Sequence, residues 1–240
     1  MLPTFGGSGV LATELGIELS KRGYNIHFIT YHQPVKLELL NHKVHFHEVK
    51  VPKYPLFHYP PYELALSSKL VEMVKKYKID LLHVHYAIPH AYAAHMAKKM
   101  LDDIGINIPI VTTLHGTDIT LVGSHPSYKN AVEFSINKSD YVTAVSKSLK
   151  EDTIKLFDIS NSINVIPNFV NLNKYKPQDG KNNLLNDDNY IITHVSNFRK
   201  VKRIQDVIKI FDKISKELDA KLLMIGDGPE RSKAERLLAV

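Results

Sequence analysis

A glycine-rich stretch near the start of the chain is suited to binding an anion. The residues Gly6-Gly7-Ser8-Gly9 stand directly before a helical pattern, and glycines allow a ligand to approach the backbone closely. The free N–H groups and the positive end of the helix dipole attract phosphate or carboxylate, the dipole alone by about 0.3–1 kcal/mol. A plain tight turn would use the same glycines. We favour an anion-binding loop over Gly6-Gly7-Ser8-Gly9 that is not built for NAD.

The same stretch fits the dinucleotide fingerprint G-x-G-x-x-A from Gly7 to Ala12. That fingerprint needs an acidic residue about 20 positions on, at the end of the second strand. Here the corresponding strand is predicted to end at Thr30, and the next acidic residue is Glu38. An NAD-dependent oxidoreductase is therefore a disfavoured alternative.

Polar residues follow two further predicted strands, at the edge where open α/β sheets bind their ligands. Tyr86 comes directly after a strand predicted over 81–85, and the run from Thr112 to Asp118 ends a strand predicted over 109–114. The polar side chains, the imidazole of His115 and the bend at Gly116 in that run are suited to an acceptor or sugar site. The alternative is a turn in which Asp118 caps the next segment of the chain.

Four cationic side chains fall within the five residues from Arg199 to Arg203. Cations at the start of a helix oppose the helix dipole, so a bound anion would stabilise them. A diphosphate suits this role, held by charge-assisted hydrogen bonds from Arg199 and Lys202. A solvated charge run and a nucleic-acid patch are the alternatives, and the absence of an aromatic stacking motif disfavours nucleic acid.

Two histidine pairs have the alternation that places both rings on one face of a strand. They are His45 with His47 and His83 with His85. Such pairs occur in metal sites, but no Asp or Glu completes either pair, since Asp80 lies at the far edge of its strand. We expect no metal site.

The elements that must position these residues alternate between strands and helices. Strands are predicted over 25–30, 44–51, 81–85, 109–114, 141–145 and 163–166, and helices over 10–21, over about 62–77 and from Pro89 onward. Leu11, Leu15 and Leu19 lie four apart, on one face of the first predicted helix. The alternation predicts an α/β fold with a doubly wound parallel sheet.

A change of composition predicts two domains joined by a linker. Residues 171–188 are rich in Asn, Asp, Lys, Gly and Pro, without periodicity. We expect an amino-terminal Rossmann-like domain over 1–170, a linker over 171–188, and the start of a second such domain over 189–240. The second begins with a strand over 190–195, an amphipathic helix from Ile204, a strand over 221–225 and a last helix after Pro229.

Both ends are expected to be cut short. A glycine-rich loop of this kind normally follows a buried strand, yet only five residues precede Gly6. The second domain shows two strands, too few for a covered parallel sheet.

Composition excludes several classes of protein. The 240 residues include no cysteine, which excludes a disulfide scaffold, a cysteine-zinc site and thiol catalysis. No apolar run approaches the roughly 18 residues of a membrane span, and the start lacks the pattern of a signal peptide, so a cytoplasmic location is the default. The net charge of +6 favours anionic ligands but is too mild to require nucleic acid. Composition leaves open whether the protein forms a homo-oligomer.

Several of these segments, in this order, resemble glycosyltransferase family 4, the retaining enzymes of GT-B architecture. The matching motifs are Gly6-Gly7-Ser8-Gly9, His115-Gly116-Thr117-Asp118, Val165-Ile166-Pro167-Asn168, Ser196-Asn197-Phe198-Arg199 and Gly226-Asp227-Gly228-Pro229. The resemblance implies two Rossmann-like domains facing across a cleft. Stretches over 3–9, 25–30, 59–62, 83–90, 112–120 and 197–203 are similar to the members that move N-acetylglucosamine from UDP-GlcNAc to the hydroxyl of L-malate, the first step of bacillithiol biosynthesis.

The resemblance also implies a role for each candidate residue. Gly7, Ser8 and Gly9 would lie against the donor phosphates and the acceptor. Tyr86 and Thr113 would hold L-malate, with Ser8 beside them. A second group of residues would serve the transfer itself, namely His115 at the transferring sugar and Arg199 with Lys202 at the departing diphosphate.

The chain departs from the family pattern in one respect. The Glu-x₇-Glu element that binds the donor sugar and ribose in the family is not present in these 240 residues. We therefore expect the chain by itself to be weakly active or inactive. Two alternatives stay open: a family 4 transferase with a cyclitol phosphate, lipid or glycan as acceptor, and a sugar-nucleotide-binding module without catalysis.

Overall fold

A computed structural model describes residues 3, 6–37, 41–176 and 190–238 of the chain. The chain divides into two compact units, Met1–Asn171 and Leu172–Val240. Most of the predicted linker, residues 177–188, lies outside the described residues.

The first unit contains six strands and five helices among its described residues. The strands are β1 (Ile26–Thr30), β2 (Val44–Glu48), β3 (Leu82–His85), β4 (Ile110–Leu114), β5 (Tyr141–Ala144) and β6 (Ile163–Val165). The helices are α1 (Gly7–Lys21), α2 (Tyr62–Tyr77), α3 (Tyr92–Asp102), α4 (Pro126–Asn137) and α5 (Lys147–Leu156). The second unit, in its described part, has β7 (Tyr190–Val195), α6 (Ile204–Ile214), β8 (Ala220–Ile225) and α7 (Arg231–Leu238).

All strand pairs are parallel, as the alternation of strands and helices predicts. In the first unit, β1 pairs with β2, and a separate four-stranded sheet has the order β3-β4-β5-β6. In the second unit, β7 pairs with β8. Parallel strands joined by helices confirm the predicted α/β class.

Most predicted elements are present, with shorter ends. The helix over 62–77 and the strand over 190–195 have their predicted bounds, whereas the strand predicted over 44–51 ends at Glu48. The helix predicted from Pro89 begins at Tyr92, because the preceding turn Ala87–Ala91 contains an extended residue, Ile88, with φ −128° and ψ 145°. Helices α4 and α5 were not individually predicted from the sequence.

Helix α1 begins at Gly7 and not at Val10 as predicted. The extended residue Gly6, with φ −69° and ψ 153°, precedes the helix, and its carbonyl accepts from the N–H groups of Gly9 at 3.1 Å and Val10 at 3.2 Å. The glycine-rich stretch is therefore the first helical turn itself. In that turn the N–H groups of Gly7 and Ser8 have no partner within the helix, which leaves them available to a ligand.

The buried face of α1 consists of small residues and not of the leucines that lie four apart along it. Gly9, Ala12, Thr13, Gly16 and Ser20 are buried, while the leucines are half-buried. A Cβ at Gly16 would collide with the ring of Phe28 in β1. The helix thus lies closer to the strand than leucines at this face would permit.

Two apolar clusters hold the first unit together. One joins α2 and α3 to β3 and β4 through Leu70, Ala97 and Ile110. The other joins the strand-end turn Thr117–Leu121 to α4 and β5 through Ile119, Val132 and Val142. The second cluster also includes Leu114 at the carboxyl end of β4 and Ala87 shortly after β3. No helix among the described residues is long and apolar enough to cross a membrane.

Candidate functional site

The first turn of α1 meets the residue that follows β3. The hydroxyls of Ser8 and Tyr86 form a hydrogen bond across 78 residues of sequence. Tyr86 has a positive φ of 84° and is 7% exposed, so the backbone turns sharply and directs the phenol toward α1. The contact places Ser8 and Tyr86, both predicted to serve the acceptor, in one site, with Gly7 and Gly9 beside them.

Three imidazoles line one face at the ends of β3 and β4. The rings of His83 and His85 stack with centroids 4.7 Å apart, as their spacing predicts. His85 Nδ1 lies 2.9 Å from His115 Nε2, a hydrogen bond in which one neutral ring donates to the other. The ring of His115 lies 5.0 Å from that of Tyr86, which adds the phenol to the same cluster.

Burial keeps these imidazoles neutral near pH 7. It lowers the pKa of His83 and that of His115 to about 4, and it holds the pKa of His85 well below its usual value. A neutral imidazole donates one hydrogen bond and accepts another. The cluster can therefore bind sugar hydroxyls without adding positive charge.

Thr113 links the imidazoles to the next strand. Its Oγ1 lies 2.8 Å from His83 Nε2 and 2.8 Å from the hydroxyl of Thr143 in β5. Both contacts lie on the face that carries His85 and His115, because side chains alternate along a strand. The predicted acceptor residue Thr113 thus belongs to a polar row that crosses three strands.

Asp118 joins the two loops that carry the site. Its carboxylate accepts from the N–H groups of Ala87 at 2.9 Å, His115 at 3.1 Å and Gly116 at 3.0 Å. Burial raises the pKa of this carboxyl, and the three backbone donors oppose that rise. The alternative in which Asp118 caps the segment after it is wrong, because all three donors precede Asp118 in the chain. The carboxylate makes a cross-loop contact to Ala87 that the sequence did not indicate.

Sequence reasoning missed three contributors to the site. His85 was considered only as part of a metal pair, Asp118 only as a cap, and Thr143 not at all. The alternation of His83 and His85 was the available signal for a shared face. The partners of these residues lie about 30 positions away, so only the pairing of β3, β4 and β5 brings them together.

The predicted diphosphate residues belong to the second unit. Arg199 precedes a short turn, Lys200–Lys202, that leads through Arg203 into α6. Arg199 and Lys202 are exposed, and among residues 6–37, 41–176 and 190–238 neither has an ion-pair partner, whereas Arg203 pairs with Asp206 at 2.6 Å. Their charges are free to meet an anion.

Two glycines pack the loop after β8 against the loop after β7. Gly226 has φ 147°, and a Cβ there would collide with the carbonyl of Ser196. Gly228 has φ 150°, and its Cβ would lie 2.7 Å from the carbonyl of Phe198. The N–H of Phe198 donates in turn to the carbonyl of Asp227 at 2.8 Å. Close backbone packing therefore fixes the segment that leads to Arg199.

A second imidazole cluster lies on β1 and β2, away from these residues in sequence. The ring of His27 stacks on His45 and His47, with centroids 4.7 and 5.2 Å apart, and Tyr77 closes the cluster at 4.7 Å from His27. Across the part of the chain that the structure describes, no group of three or more His, Asp or Glu residues is arranged to hold a metal ion.

Comparison with known proteins assigns the chain to a family. The family model described as Glycosyltransferase Family 4 matches residues 5–174, more than half of the chain, and the model described as Glycosyl transferases group 1 matches residues 176–239. The chain belongs to glycosyltransferase family 4. The resemblance of the sequence motifs to that family is thereby confirmed.

Curated relatives of this family 4 chain include proteins of bacteria and archaea. N-acetyl-alpha-D-glucosaminyl L-malate synthase of Bacillus anthracis is 50% identical over 232 residues, which cover 95% of this chain and 60% of that protein. An uncharacterised glycosyltransferase of Methanocaldococcus jannaschii is 27% identical over 213 residues, which cover 88% of this chain and 54% of that protein. The family 4 chain thus spans little more than half the length of these relatives.

Solved structures show the GT-B fold for the family 4 chain. A glycosyltransferase from Rickettsia africae matches with a TM-score of 0.75 at 22% identity, over 99% of this chain and 63% of that chain. A sucrose-phosphate synthase from Thermosynechococcus elongatus matches with a TM-score of 0.66 at 19% identity, over 98% of this chain and 61% of that chain.

Proposed function

We propose that the chain is part of a retaining transferase that moves N-acetylglucosamine from UDP-GlcNAc to the hydroxyl of L-malate, the first step of bacillithiol biosynthesis. The observation that carries the proposal is the cluster of Ser8, Tyr86, Thr113 and His115 at the ends of α1, β3 and β4. The 50% identity to the Bacillus anthracis synthase supports the choice of substrates.

Each group of residues has a defined task in this proposal. The first turn of α1, over Gly7, Ser8 and Gly9, attracts the donor phosphates and a malate carboxylate, because it is the positive end of the helix and the N–H groups of Gly7 and Ser8 are available to donate. The hydroxyls of Ser8, Tyr86 and Thr113 orient the malate. The neutral ring of His115, held by His85 at 2.9 Å, hydrogen-bonds the transferring sugar.

Transfer requires the bond between the sugar C1 and the diphosphate oxygen to break while malate oxygen bonds to the same face of C1. The malate hydroxyl proton passes to the departing phosphate oxygen, so no protein nucleophile takes part. Arg199 and Lys202 of the second unit neutralise the charge that develops on UDP. We propose that no metal is required, since these two cations supply the charge.

Two other hypotheses keep part of this proposal. A family 4 transferase with a cyclitol phosphate, lipid or glycan as acceptor would use the same imidazole row and the same cations. A sugar-nucleotide-binding module would bind UDP-GlcNAc without transfer. The Glu-x₇-Glu element that the resemblance implies is not present in these 240 residues. The binding-module hypothesis therefore stays open. We propose that the chain alone has little or no transferase activity.

Mass spectrometry of reaction mixtures tests the proposal. The chain, and a chimera that joins it to the part of the Bacillus anthracis relative that it does not match, are each incubated with UDP-GlcNAc and L-malate in EDTA. We expect GlcNAc-malate from the chimera and little or none from the chain alone. A chimera that releases UDP with other acceptors but never with malate would contradict the proposed acceptor, and UDP-GlcNAc binding without transfer to any acceptor would favour the module.

A further inference from the structure

The imidazole of His115 makes one hydrogen bond among the residues that the structure describes. Its Nε2 lies 2.9 Å from Nδ1 of His85. His85 is 6% exposed, whereas His115 is half-buried. The two nitrogens of an imidazole ring are separated by one carbon, so Nδ1 of His115 points away from His85. Nδ1 is therefore the nitrogen that remains for a ligand at the ends of β3 and β4.

The direction of this hydrogen bond decides what His115 offers to a ligand. Burial lowers the pKa of both rings, so near pH 7 each ring is neutral and carries one proton. If His115 donates from Nε2, its Nδ1 is an acceptor. If His115 accepts at Nε2, its Nδ1 carries the proton and is a donor. The two arrangements therefore bind opposite groups of a ligand.

The intrinsic preference of histidine favours donation by His115. A free neutral imidazole side chain carries its proton more often on Nε2 than on Nδ1. When His115 donates from Nε2 to Nδ1 of His85, both rings are in this preferred form. The reverse direction needs the proton on Nδ1 in both rings, so it is disfavoured twice.

The rest of the polar row is compatible with the same assignment. His83 Nε2 lies 2.8 Å from Thr113 Oγ1, which lies 2.8 Å from Thr143 Oγ1. When His83 donates from Nε2 to Thr113, the Thr113 hydroxyl donates to Thr143. All three imidazoles then carry their proton on Nε2, and each contact has one donor and one acceptor. His83 also stacks on His85 with ring centroids 4.7 Å apart, which helps to keep Nδ1 of His85 directed at His115.

We propose that His85 is a positioning residue that fixes His115 with its proton on Nε2, so that Nδ1 of His115 accepts a hydrogen bond from the sugar of the donor substrate. His85 is buried and acts through His115. The group that His115 takes is thereby narrowed to a hydroxyl or an amide N–H, both of which N-acetylglucosamine carries. This inference rests on the proposed function for the identity of the sugar, whereas the position of the proton is a property of the chain without ligand.

Nitrogen chemical shifts of the chain, labelled with isotope-enriched histidine, test the position of the proton. Protonated and unprotonated ring nitrogens of a neutral imidazole resonate far apart. The signals of His115 are identified by their loss in His115→Gln. We expect the shift of a protonated nitrogen at Nε2 and that of an unprotonated nitrogen at Nδ1. A protonated Nδ1, or the averaged shifts of a rapidly exchanging mixture, would overturn the proposal.

Two substitutions separate the hydrogen bond of His85 from its packing. His85→Leu fills much of the same space without an acceptor, so both His115 signals should move toward the average of the two forms. In His85→Asn the side-chain oxygen can take the place of Nδ1, so the His115 signals should stay close to those of the unsubstituted chain. Unchanged signals of His27 and His47 show that the first unit is folded in each variant.

Unchanged His115 shifts in a folded His85→Leu variant would show that other contacts set the proton, which contradicts the proposal. Averaged shifts in His85→Asn as well would show that the packing of His85, and not its acceptor, is what matters. If His85→Leu does not fold, the shifts of the unsubstituted chain and of His85→Asn decide.

Transfer by the chimera measures the catalytic consequence. We expect His85→Leu to lower kcat by about 10- to 100-fold and to change KM for L-malate by less than about twofold, because a misdirected His115 affects the sugar and not the acceptor. His85→Asn should recover a large part of the lost kcat. An unchanged kcat in His85→Leu would overturn the positioning role. A chimera that forms no product would contradict the proposed function instead, and the nitrogen shifts would still decide the present inference.

Discussion

The buried carboxylate of Asp118 accepts a hydrogen bond from the backbone N–H of Ala87 at 2.9 Å, and so ties the loop after β4 to the loop after β3. The same carboxylate accepts from the N–H groups of His115 and Gly116. One side chain thus fixes both loops on which Tyr86 and His115 lie. A carboxylate with two acceptor oxygens is needed, because the donors approach both of them.

Asp118→Asn is expected to lower the free energy of unfolding by about 1–3 kcal/mol. The substitution replaces one accepting carboxylate oxygen with an NH₂ group, which cannot accept from the backbone N–H that it faces. The effect is measured by chemical denaturation followed by circular dichroism. Asp103→Asn is the control, since Asp103 is exposed and is expected to change stability by less than about 0.5 kcal/mol. Equal stability of the two variants would show that Asp118 does not hold the loops.

Ser8→Ala and Tyr86→Phe are each expected to weaken L-malate binding by about tenfold, the equivalent of one hydrogen bond of about 1.4 kcal/mol. The two hydroxyls bond to each other, so the double variant should lose less than the sum of the single losses. Calorimetric titration measures the three affinities. Tyr141→Phe is a matched control, because Tyr141 lies on β5 and is 63% exposed; strictly additive losses would argue against a shared site.

Arg199→Ala and Lys202→Ala are expected to weaken UDP binding by about 10- to 100-fold each, as for hydrogen bonds between charged groups. Arg199→Lys should recover less than half of the lost binding energy, because an ammonium cannot form the two-pronged contact of a guanidinium. Fluorescence competition with a labelled UDP analogue measures the affinities. The control is Lys209→Ala on α6, which removes an exposed charge of the same unit. An equal loss of UDP affinity in that variant would show that only the net charge of the unit matters.

The stability of the first unit is expected to fall as the pH drops from about 6.5 to about 4. Burial lowers the pKa of His27, His83 and His115 to about 4, whereas unfolded histidine titrates near 6.5. Between these values the unfolded chain binds protons that the folded chain does not, so protons favour unfolding. Above about pH 7.5, one unit higher than the pKa of unfolded histidine, the rings are neutral in both states and this contribution is constant.

Denaturation midpoints between pH 7.5 and 4.5 test this dependence. We expect the free energy of unfolding to fall by about 2–4 kcal/mol over this range. This loss is smaller than the sum that the separate histidine pKa shifts would give, because the rings are partly exposed. His27→Gln should flatten the profile, whereas His58→Gln, which changes an exposed loop imidazole, should leave it unchanged. A profile that His27→Gln does not alter would place the pH dependence elsewhere.

Gly226→Ala is expected to destabilise the second unit by more than about 2 kcal/mol, because it combines a positive φ with a collision against the Ser196 carbonyl. Gly105→Ala separates the two causes, since Gly105 has φ 75° with open space around its Cβ position. We expect that control to cost about 1 kcal/mol. Thermal unfolding is followed by the amide signals of β7 for the second unit and of α3 for the first. Similar losses of stability in both variants would show that the collision with Ser196 does not contribute.

The sequence by itself determined the class of fold and the family. Alternation of strand and helix patterns predicted parallel β-α-β units, because a 2-residue and a 3.6-residue period are visible without knowledge of any partner. The predicted bounds of helix α2 and strand β7 agree with the observed ones. The glycine-rich turn, the strand-end Tyr86 and His115, and the cations at Arg199 and Lys202 were also visible, since each is a local pattern of residue types.

The tertiary structure decided how these residues meet. The partner of Tyr86 is Ser8, that of His85 is His115, and that of Asp118 includes Ala87, and no local pattern specifies pairs separated by 30 to 80 residues. The small buried face of α1 and the cavity between β1 and β3 likewise depend on packing. Strand order and register place distant side chains on one face, so the chemistry of the site emerges when the parallel sheet forms.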